Sequence, residues 1–405
     1  MPRIGFVYNQ KPESTAIARP DDETPRGDDE PPSSRRDALA SRNSDATAST
    51  EIAHSVTVGG NFAAPAHAAS ADDEFAEWDS IDTIDAVASA LAAYGDVIRL
   101  EANADFPQHL RDVRPDIVFN IAEGLHGVNR EAHVPAICEF YGIPYSASDP
   151  FTCALCLDKS RTKEVLAFHG VPTAPFTVIH ELADLRRPTS AVRFPVFVKP
   201  IHEGSSKGIT EANYCRTPDE LYTQVEFLLE RYQQPVLVEE YLPGAEFTCA
   251  VLGNGDDARV LPIVGMNFEA LPDGALPVYG FEAKWIWDRP EKPLEIFECP
   301  ARITEELRST IEQVALRAYR VLGCRDWSRI DVRLDAAGKP NVVEVNPLPG
   351  ILPNPADNSC FPKAARAAGM SYDELIQACL VHAAERQGVE LDVATSGVAT
   401  AATWR

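Results

Sequence analysis

Short apolar segments of strand length alternate with helical segments along the chain, and this alternation limits the fold more than any other feature. RIGFVY (3–8), VIRLE (97–101) and DIVFNIA (116–122) are typical of buried strands. Apolar residues recur at helical spacing over 81–91, where Gly95 is expected to cap the end, and over 134–141. Because strands that are apolar on both faces need helices on both sides, the pattern predicts an α/β doubly wound parallel sheet.

The stretch from about Gln10 to Asp72 has a different composition from the rest of the chain. It is rich in Pro, Ser, Asp, Ala and Arg and shows neither a helical nor a strand period. Such a segment buries too little apolar area to offset the entropy of ordering its backbone. We therefore predict a long disordered insertion within the first domain.

Apolar patterning continues through the second half of the chain. Turn residues separate the segments, and two pairs of strands are expected to form hairpins. The predicted strands cover 195–200, 235–241, 246–253, 258–268, 329–335 and 341–345, and the predicted helices cover about 157–169, 303–322 and 370–385.

Charge and cysteine content exclude several classes of protein. The chain has 37 basic and 61 acidic side chains, a net charge of −24, which disfavours nucleic-acid binding. No apolar run is long enough to cross a bilayer, and the first residues do not resemble a signal peptide. Nine cysteines without an export signal favour reduced thiols in the cytoplasm. The CxxC formed by Cys153 and Cys156 lacks a second ligand pair, so we expect two small buried side chains there.

A polar loop follows the predicted strand that ends at Lys199. It contains Glu203, followed by Ser205 and Ser206 between Gly204 and Gly208. Glycines allow close approach of the backbone to phosphate oxygens, serines donate hydrogen bonds, and lysine supplies a positive charge. An ordinary polar turn after a strand is an equally good interpretation of this segment alone.

The hairpin predicted over 329–345 has one polar face. Asp331 lies on its first strand, and Glu344 and Asn346 share a face of the second because they are two residues apart. Two carboxylates and an amide oxygen are suited to magnesium. The alternative is a solvated face with cross-strand polar pairs. Since the neighbouring positions are apolar, we favour a metal site.

Two further groups of residues carry candidate roles. Glu239, Glu240 and Glu246 cluster at a strand end, where carboxylates suit ribose hydroxyls or an adenine amino group, although solubility charges would look the same. The turn NPLPGI (346–351) follows the candidate metal ligand directly and can aim the N–H of Gly350 at a developing oxyanion.

Together these segments resemble the ATP-grasp fold and, within it, the D-alanine–D-alanine ligases. FNIAEGLHGVNRE (119–131) is typical of a diverged branch of that family. Six motifs occur in the family's order: LDKSRTK (157–163), FVKPIHEGSSKG (197–208), VLVEEYLPGAEF (236–247), EAKW (282–285), SRID (328–331) and VVEVNPLPG (342–350).

The resemblance implies a role for each matching residue. Lys159 and Lys199 would contact ATP phosphates, with Glu203, Ser205 and Ser206 in the loop that closes over them. Lys284 would reach the transferred phosphate, and Arg329 with the N–H of Gly350 would stabilise the tetrahedral intermediate. The nucleotide's base and ribose would meet Glu239, Glu240, Tyr241, Leu242 and Glu246, and magnesium or manganese would bind Asp331, Glu344 and Asn346.

The substrate positions depart from the family pattern. Ser359 would face the carboxylate of the second amino acid. Trp285 stands where the family usually has tyrosine, and Glu123 replaces an expected histidine. Glu77 and Glu74 are the candidates for binding the first amino group.

The resemblance implies three α/β domains followed by a loose tail. The first contains the insertion and precedes the two ATP-grasp domains that sandwich ATP; the four segments are 1–149, 150–241, 242–388 and 389–405.

The implied activity is ATP-dependent ligation of two amino acids through an acyl phosphate. D-alanine is the leading choice for both substrates, with a role in peptidoglycan biosynthesis. Two alternatives are a ligase of other amino acids in a dedicated pathway and a nucleotide-binding protein without catalysis. The expected partners are small molecules, with neither nucleic acid nor membrane, and a homodimer is compatible with the sequence.

Overall fold

The structure is a computed structural model that describes residues 1–12, 75, 77–124, 126–186, 192–272, 275–280 and 294–391, all in one compact unit. Most of the predicted insertion, the last 14 residues of the tail, and Glu74, Lys284 and Trp285 lie outside the described residues. None of the described helices combines the length and the apolar character that crossing a membrane requires.

The N-terminal part forms the predicted parallel sheet. Its strands are β1 (Arg3–Tyr8), β2 (Asp96–Glu101) and β3 (Ile117–Asn120), in the order β2-β1-β3. The helices of this part are α1 (Ile81–Leu91), α2 (Phe106–Val113) and α3 (His133–Tyr141).

Gly95 does not cap α1 as expected. The helix is already capped by Ala92, whose N–H bonds to the carbonyl of Ala88. A Cβ at Gly95 would lie 2.2 Å from the carbonyl oxygen of Pro2, so the glycine is required by a close approach of two chain segments.

The helix predicted over 157–169 is confirmed as α5 (Lys159–Phe168), and a further helix, α4 (Pro150–Leu157), precedes it. Asp158 lies between them and caps α5 by accepting from two backbone N–H groups. Cys153 and Cys156 are buried free thiols on α4, as expected.

The central sheet is antiparallel and has the order β4-β7-β5-β6. One side is covered by a helix that the sequence interpretation missed, although Leu221, Val225 and Leu228 mark its apolar face. The strands are β4 (Phe176–Ile179), β5 (Val196–Pro200), β6 (Tyr214–Cys215) and β7 (Val236–Glu240), and the helix is α6 (Pro218–Tyr232).

The C-terminal sheet has the order β11-β10-β8-β12-β13, with β9 paired to β8. Its strands are β8 (Glu246–Leu252), β9 (Arg259–Val260), β10 (Val264–Met266), β11 (Phe297–Glu298), β12 (Trp327–Leu334) and β13 (Pro340–Asn346). The predicted strand over 258–268 is thus divided into β9 and β10. Its helices are α7 (Glu305–Leu322), α8 (Cys360–Ala367) and α9 (Tyr372–Gln387). The division of the chain into three domains stays a prediction.

Candidate active site

A single cavity of about 300 Å³ is lined by every predicted site residue that the structure describes. The sequence interpretation assigned these residues to phosphate, nucleotide, metal and substrate roles separately. Their common location supports one site for all four roles. They are Glu123, Lys159, Lys199, Glu203, Ser205, Ser206, Glu239, Glu240, Tyr241, Leu242, Glu246, Arg329, Asp331, Glu344, Asn346, Gly350 and Ser359.

Glu239 on β7 is held between two lysines. Its carboxylate oxygens lie 2.7 Å from the ammonium of Lys199 on β5 and 2.7 Å from that of Lys163 on α5. Burial raises the pKa of Glu239, but the two ammonium groups outweigh this and lower it to about 2. Glu239 therefore fixes Lys199 in the cavity wall, and its predicted contact with the nucleotide stays a prediction.

Lys163 does not line the cavity but supports it through Glu239, a role that the sequence interpretation missed. Its side chain is 2% exposed and also donates to the hydroxyl of Thr173 at 2.6 Å. The available signal was its position four residues after Lys159, which places both lysines on one face of α5.

Lys159 begins α5 and its ammonium lies 2.8 Å from Oε1 of Glu344 on β13. The same ammonium donates to the carbonyl oxygen of Glu203 in the polar loop. Burial raises the pKa of Glu344, but Lys159 and Lys199 outweigh it and hold that pKa below its ordinary value. The candidate metal ligand is therefore ionised and neutralised by a candidate phosphate ligand.

The β12–β13 register places Asp331 opposite Glu344 and Arg329 opposite Asn346. Asp331 accepts from the hydroxyl of Thr248 at 2.8 Å and from Arg329 at 2.9 Å. Among the described residues no three Asp, Glu, His or Cys side chains are grouped as metal ligands, so the candidate set is two carboxylates and one amide.

These residues fit a divalent cation. The two carboxylates face each other across the hairpin, and the Asn346 amide nitrogen is buried without a hydrogen-bond partner. That nitrogen can only donate, so a cation would be bound by the amide oxygen and the two carboxylates, while the N–H groups remain for an acceptor such as a phosphate oxygen. Hard oxygen donors of this kind suit magnesium or manganese.

The polar loop has the strained backbone that phosphate-binding loops use. Ser205 and Ser206 have φ values of 49° and 60°, a region that non-glycine residues rarely adopt. Gly208 is required because φ is 74° and a Cβ would lie 2.8 Å from Pro200. Lys207 anchors the loop through ion pairs of 2.9 Å to Glu203 and to Glu77.

The predicted nucleotide end is organised by an arginine that the sequence interpretation missed. Arg333 donates to Glu246 at 2.8 Å and to the hydroxyl of Tyr241 at 2.8 Å, and its guanidinium packs over the Tyr241 ring. The sequence did contain a signal for Arg333. It stands two residues after Asp331 and four after Arg329 on β12, so all three side chains lie on one face of the strand. Glu240 instead pairs with Arg193 near the surface.

The residues predicted at the reacting carbonyl lie together. Arg329 is fixed by Asp331, and its Nε atom is buried without a hydrogen-bond partner. Ser359 precedes α8, donates to the carbonyl oxygen of Gly350 at 3.1 Å and accepts from the N–H of Leu352. The hydroxyl of Ser359 therefore ties the Pro-Gly turn to the start of α8.

Charged residues of the N-terminal part close the opposite end of the cavity. Both carboxylate oxygens of Glu77 accept from Arg130 at 3.1 Å, and Oε2 also accepts from Lys207 at 2.9 Å. Burial raises the pKa of Glu77, but Arg130 and Lys207 outweigh it and lower the pKa to about 2. Glu123 and Glu131 line the cavity beside this cluster.

Comparison with known proteins identifies the family. The family model described as "D-ala D-ala ligase C-terminus" matches residues 165–381. The D-alanine–D-alanine ligase of Bordetella avium is 36% identical over 64% of this chain and 76% of its own length. That of Ectopseudomonas mendocina is 32% identical over 76% of this chain and 91% of its own.

A solved structure shows the same fold. The D-alanine–D-alanine ligase from Bacillus anthracis complexed with ATP has a TM-score of 0.60 and 20% identity, over 96% of this chain and 99% of its own. The predicted α/β ATP-grasp fold is thus confirmed, and so is the expected class of enzyme, an ATP-dependent ligase. With a family model over more than half of its length and relatives above 30% identity, this chain belongs to the D-alanine–D-alanine ligase family.

Proposed function

We propose that the chain joins two amino acids through an acyl phosphate formed at the expense of ATP. The observation that carries the proposal is the single cavity in which Lys159, Lys199, Arg329, Asp331 and Glu344 meet. Nucleotide binding alone would not require Arg329 and both carboxylates in one site. The rival of a non-catalytic nucleotide-binding protein is therefore disfavoured.

In the first step a carboxylate oxygen of the first amino acid attacks the γ-phosphorus of ATP, and ADP leaves. Lys159 and Lys199 would hold the phosphate oxygens, while the loop with Ser205 and Ser206 would cover them and exclude water. Asp331, Glu344 and Asn346 would hold magnesium or manganese, which would screen the phosphate charge.

In the second step the amino group of the other substrate attacks the acyl carbon and loses a proton, and inorganic phosphate leaves. The negative charge on the tetrahedral oxygen would be stabilised by Arg329 and the N–H of Gly350. Arg329 suits this role because Asp331 fixes it while its Nε atom has no partner.

The relatives' names support D-alanine as the accepting substrate, held near Ser359. The cavity end beside Glu123 differs from the family pattern and favours a ligase for another first amino acid. Because the reaction consumes ATP, we place the protein in the cytoplasm.

The test is release of phosphate from ATP with D- and L-amino acids, offered singly and in pairs, with the dipeptide product detected by mass spectrometry. We expect one phosphate for each dipeptide formed, and no release without magnesium or manganese. ATP binding without any product across the whole panel would contradict the proposal.

A further inference from the structure

Two carboxyl groups at the N-terminal end of the cavity have no hydrogen-bond or ion-pair partner among the described residues. Glu123 follows β3, and Glu131 lies in a 3₁₀ turn that precedes α3. Both line the cavity, and Glu131 is only 9% exposed. Throughout the described parts of the chain, neither side chain forms a hydrogen bond or an ion pair. Glu131 is buried and Glu123 is half-buried, and carboxyl groups withdrawn from water are ordinarily paired, so these two call for a ligand.

The neighbouring cations are already engaged. Arg130 binds Glu77 and donates to the carbonyl oxygen of His202 at 2.8 Å, and Lys207 binds Glu77 and Glu203. Both cations are therefore bound by Glu77 and its neighbours, and no cation among the described residues forms an ion pair with Glu123 or Glu131. Burial and the charge of Glu131 also raise the pKa of Glu123 well above its ordinary value.

The backbone that presents Glu123 is fixed. The N–H of Gly124 donates to the side chain of Asn9 at 2.9 Å, and the carbonyl oxygen of Gly124 accepts from the indole of Trp78 at 3.2 Å. A Cβ at Gly124 would lie 2.6 Å from the carbonyl oxygen of Arg130, so this segment packs tightly against the turn that carries Glu131. The two carboxyl groups consequently occupy one end of the cavity together.

Their charged neighbours differ in a way that orders them along the cavity. Glu131 shares Arg130 and Glu77 with Glu123 as charged neighbours, and it also interacts electrostatically with Lys159 and Glu344, which lie at the proposed site of phosphoryl transfer. The neighbours of Glu123 are Glu131, Glu77, Arg130 and Asp79, farther from that chemistry. Glu131 is therefore the carboxyl group nearer to the reacting carboxylate.

We propose that the first substrate is a diamino acid, with its α-ammonium at Glu131 and its side-chain ammonium at Glu123. This inference rests on the proposed ligase function. A monoamino acid supplies one ammonium and leaves the second carboxyl group unpaired, whereas a diamino acid neutralises both. Since a buried carboxylate is costly unless it is paired, the site favours the doubly cationic substrate.

The experiment compares kcat/KM for the first substrate between diamino acids of two to four side-chain carbons and alanine or serine, in both chiral forms. We expect the wild type to prefer a diamino acid at least tenfold. Glu123→Gln keeps the shape but removes the charge, and it should lower that preference about tenfold, mainly through KM. Glu101→Gln, a matched change at an exposed position of β2, should leave the preference unaltered.

A binding measurement separates this inference from the ligase proposal. Calorimetry with a non-hydrolysable ATP analogue and magnesium should show tighter binding of the diamino acid than of alanine in the wild type, and a smaller difference in Glu123→Gln. Equal or weaker binding of every diamino acid overturns the inference, even where alanine is ligated efficiently. Preferential binding without turnover supports the substrate class and contradicts the ligase proposal instead.

Discussion

The ammonium of Lys159 lies 2.8 Å from the carboxylate of Glu344. The sequence interpretation gave these residues different ligands, an ATP phosphate and a metal ion. In the structure each neutralises the other, so neither charge is left unpaired in the cavity wall. When nucleotide and a cation bind, Lys159 would pair with a phosphate and Glu344 with the cation, so both charges would again have a partner. The site can thus receive highly charged ligands without burying an unpaired charge at any stage.

Glu344→Gln should remove most of the ligase activity and leave the fold intact. The neutral amide removes the negative charge that binds the cation strongly, yet it keeps the shape of the side chain and a hydrogen-bond acceptor for Lys159. We expect a loss of at least a hundredfold in kcat, with a circular dichroism spectrum like that of the wild type.

Glu306→Gln, an exposed position on α7, is the matched control and should retain normal turnover. Near-normal turnover of Glu344→Gln at saturating magnesium would contradict its assignment as a metal ligand.

Lys163→Met should destabilise the protein through Glu239. The two side chains are 2% and 7% exposed, and breaking a buried ion pair completely costs about 3–5 kcal/mol. The loss should be smaller than this, because Glu239 keeps its second ion pair with Lys199. Urea unfolding followed by fluorescence measures this loss. The double variant Lys163→Met with Glu239→Gln should be less stable than the single variant, because the buried Lys199 then loses its ion pair with Glu239. Equal stability of the single variant and the wild type would show that the ion pair of Lys163 with Glu239 contributes nothing.

Asp79 should make the protein less stable as pH rises. Burial raises the pKa of Asp79 from an ordinary 3.8 to about 7, with Lys11 opposing the change. Between these values the folded state holds a proton that the unfolded state has lost, so this residue's contribution to stability falls as pH increases from about 4 to about 7.

Asp79→Asn removes that dependence. The unfolding free energy of the variant minus that of the wild type should therefore increase over this pH range, and level off above it. Thermal or urea unfolding at several pH values measures the difference. A difference that does not vary with pH would contradict the raised pKa.

Residues 13–72 should be dispensable for folding. The chain leaves and returns side by side, because the N–H of Lys11 bonds to the carbonyl oxygen of Asp79 and the N–H of Asp79 to that of Asn9. About four residues of strand separate Pro12 from Glu77 along this parallel pair, roughly 13 Å at 3.3 Å per residue.

A linker of about eight glycine and serine residues should therefore replace the insertion, with little change in melting temperature. Limited proteolysis of the full chain should cut within 13–72 first. A deletion variant that fails to fold would show that the segment contributes to the core.

Features that depend on residues close together in the chain were predictable from the sequence, whereas contacts between distant segments were not. The β12–β13 hairpin was predictable because its strands are adjacent in the chain and alternate in polarity, so Asp331, Glu344 and Asn346 share a face by local geometry. The parallel sheet followed from apolar strands and intervening helices. The motif order predicted the family, since each motif depends on residues that are neighbours in sequence.

Only the tertiary structure decided which charges meet. Lys163 binds Glu239, Arg333 binds Glu246, and Lys207 reaches across to Glu77. Each of these pairs joins segments that are distant in the chain, and their contacts depend on how separate elements pack. A local pattern fixes the face on which a side chain lies but not the partner opposite it. The sequence by itself therefore determined most of the elements, the hairpin and the family, and packing alone left Glu123 and Glu131 together without an ion-pair partner among the described residues.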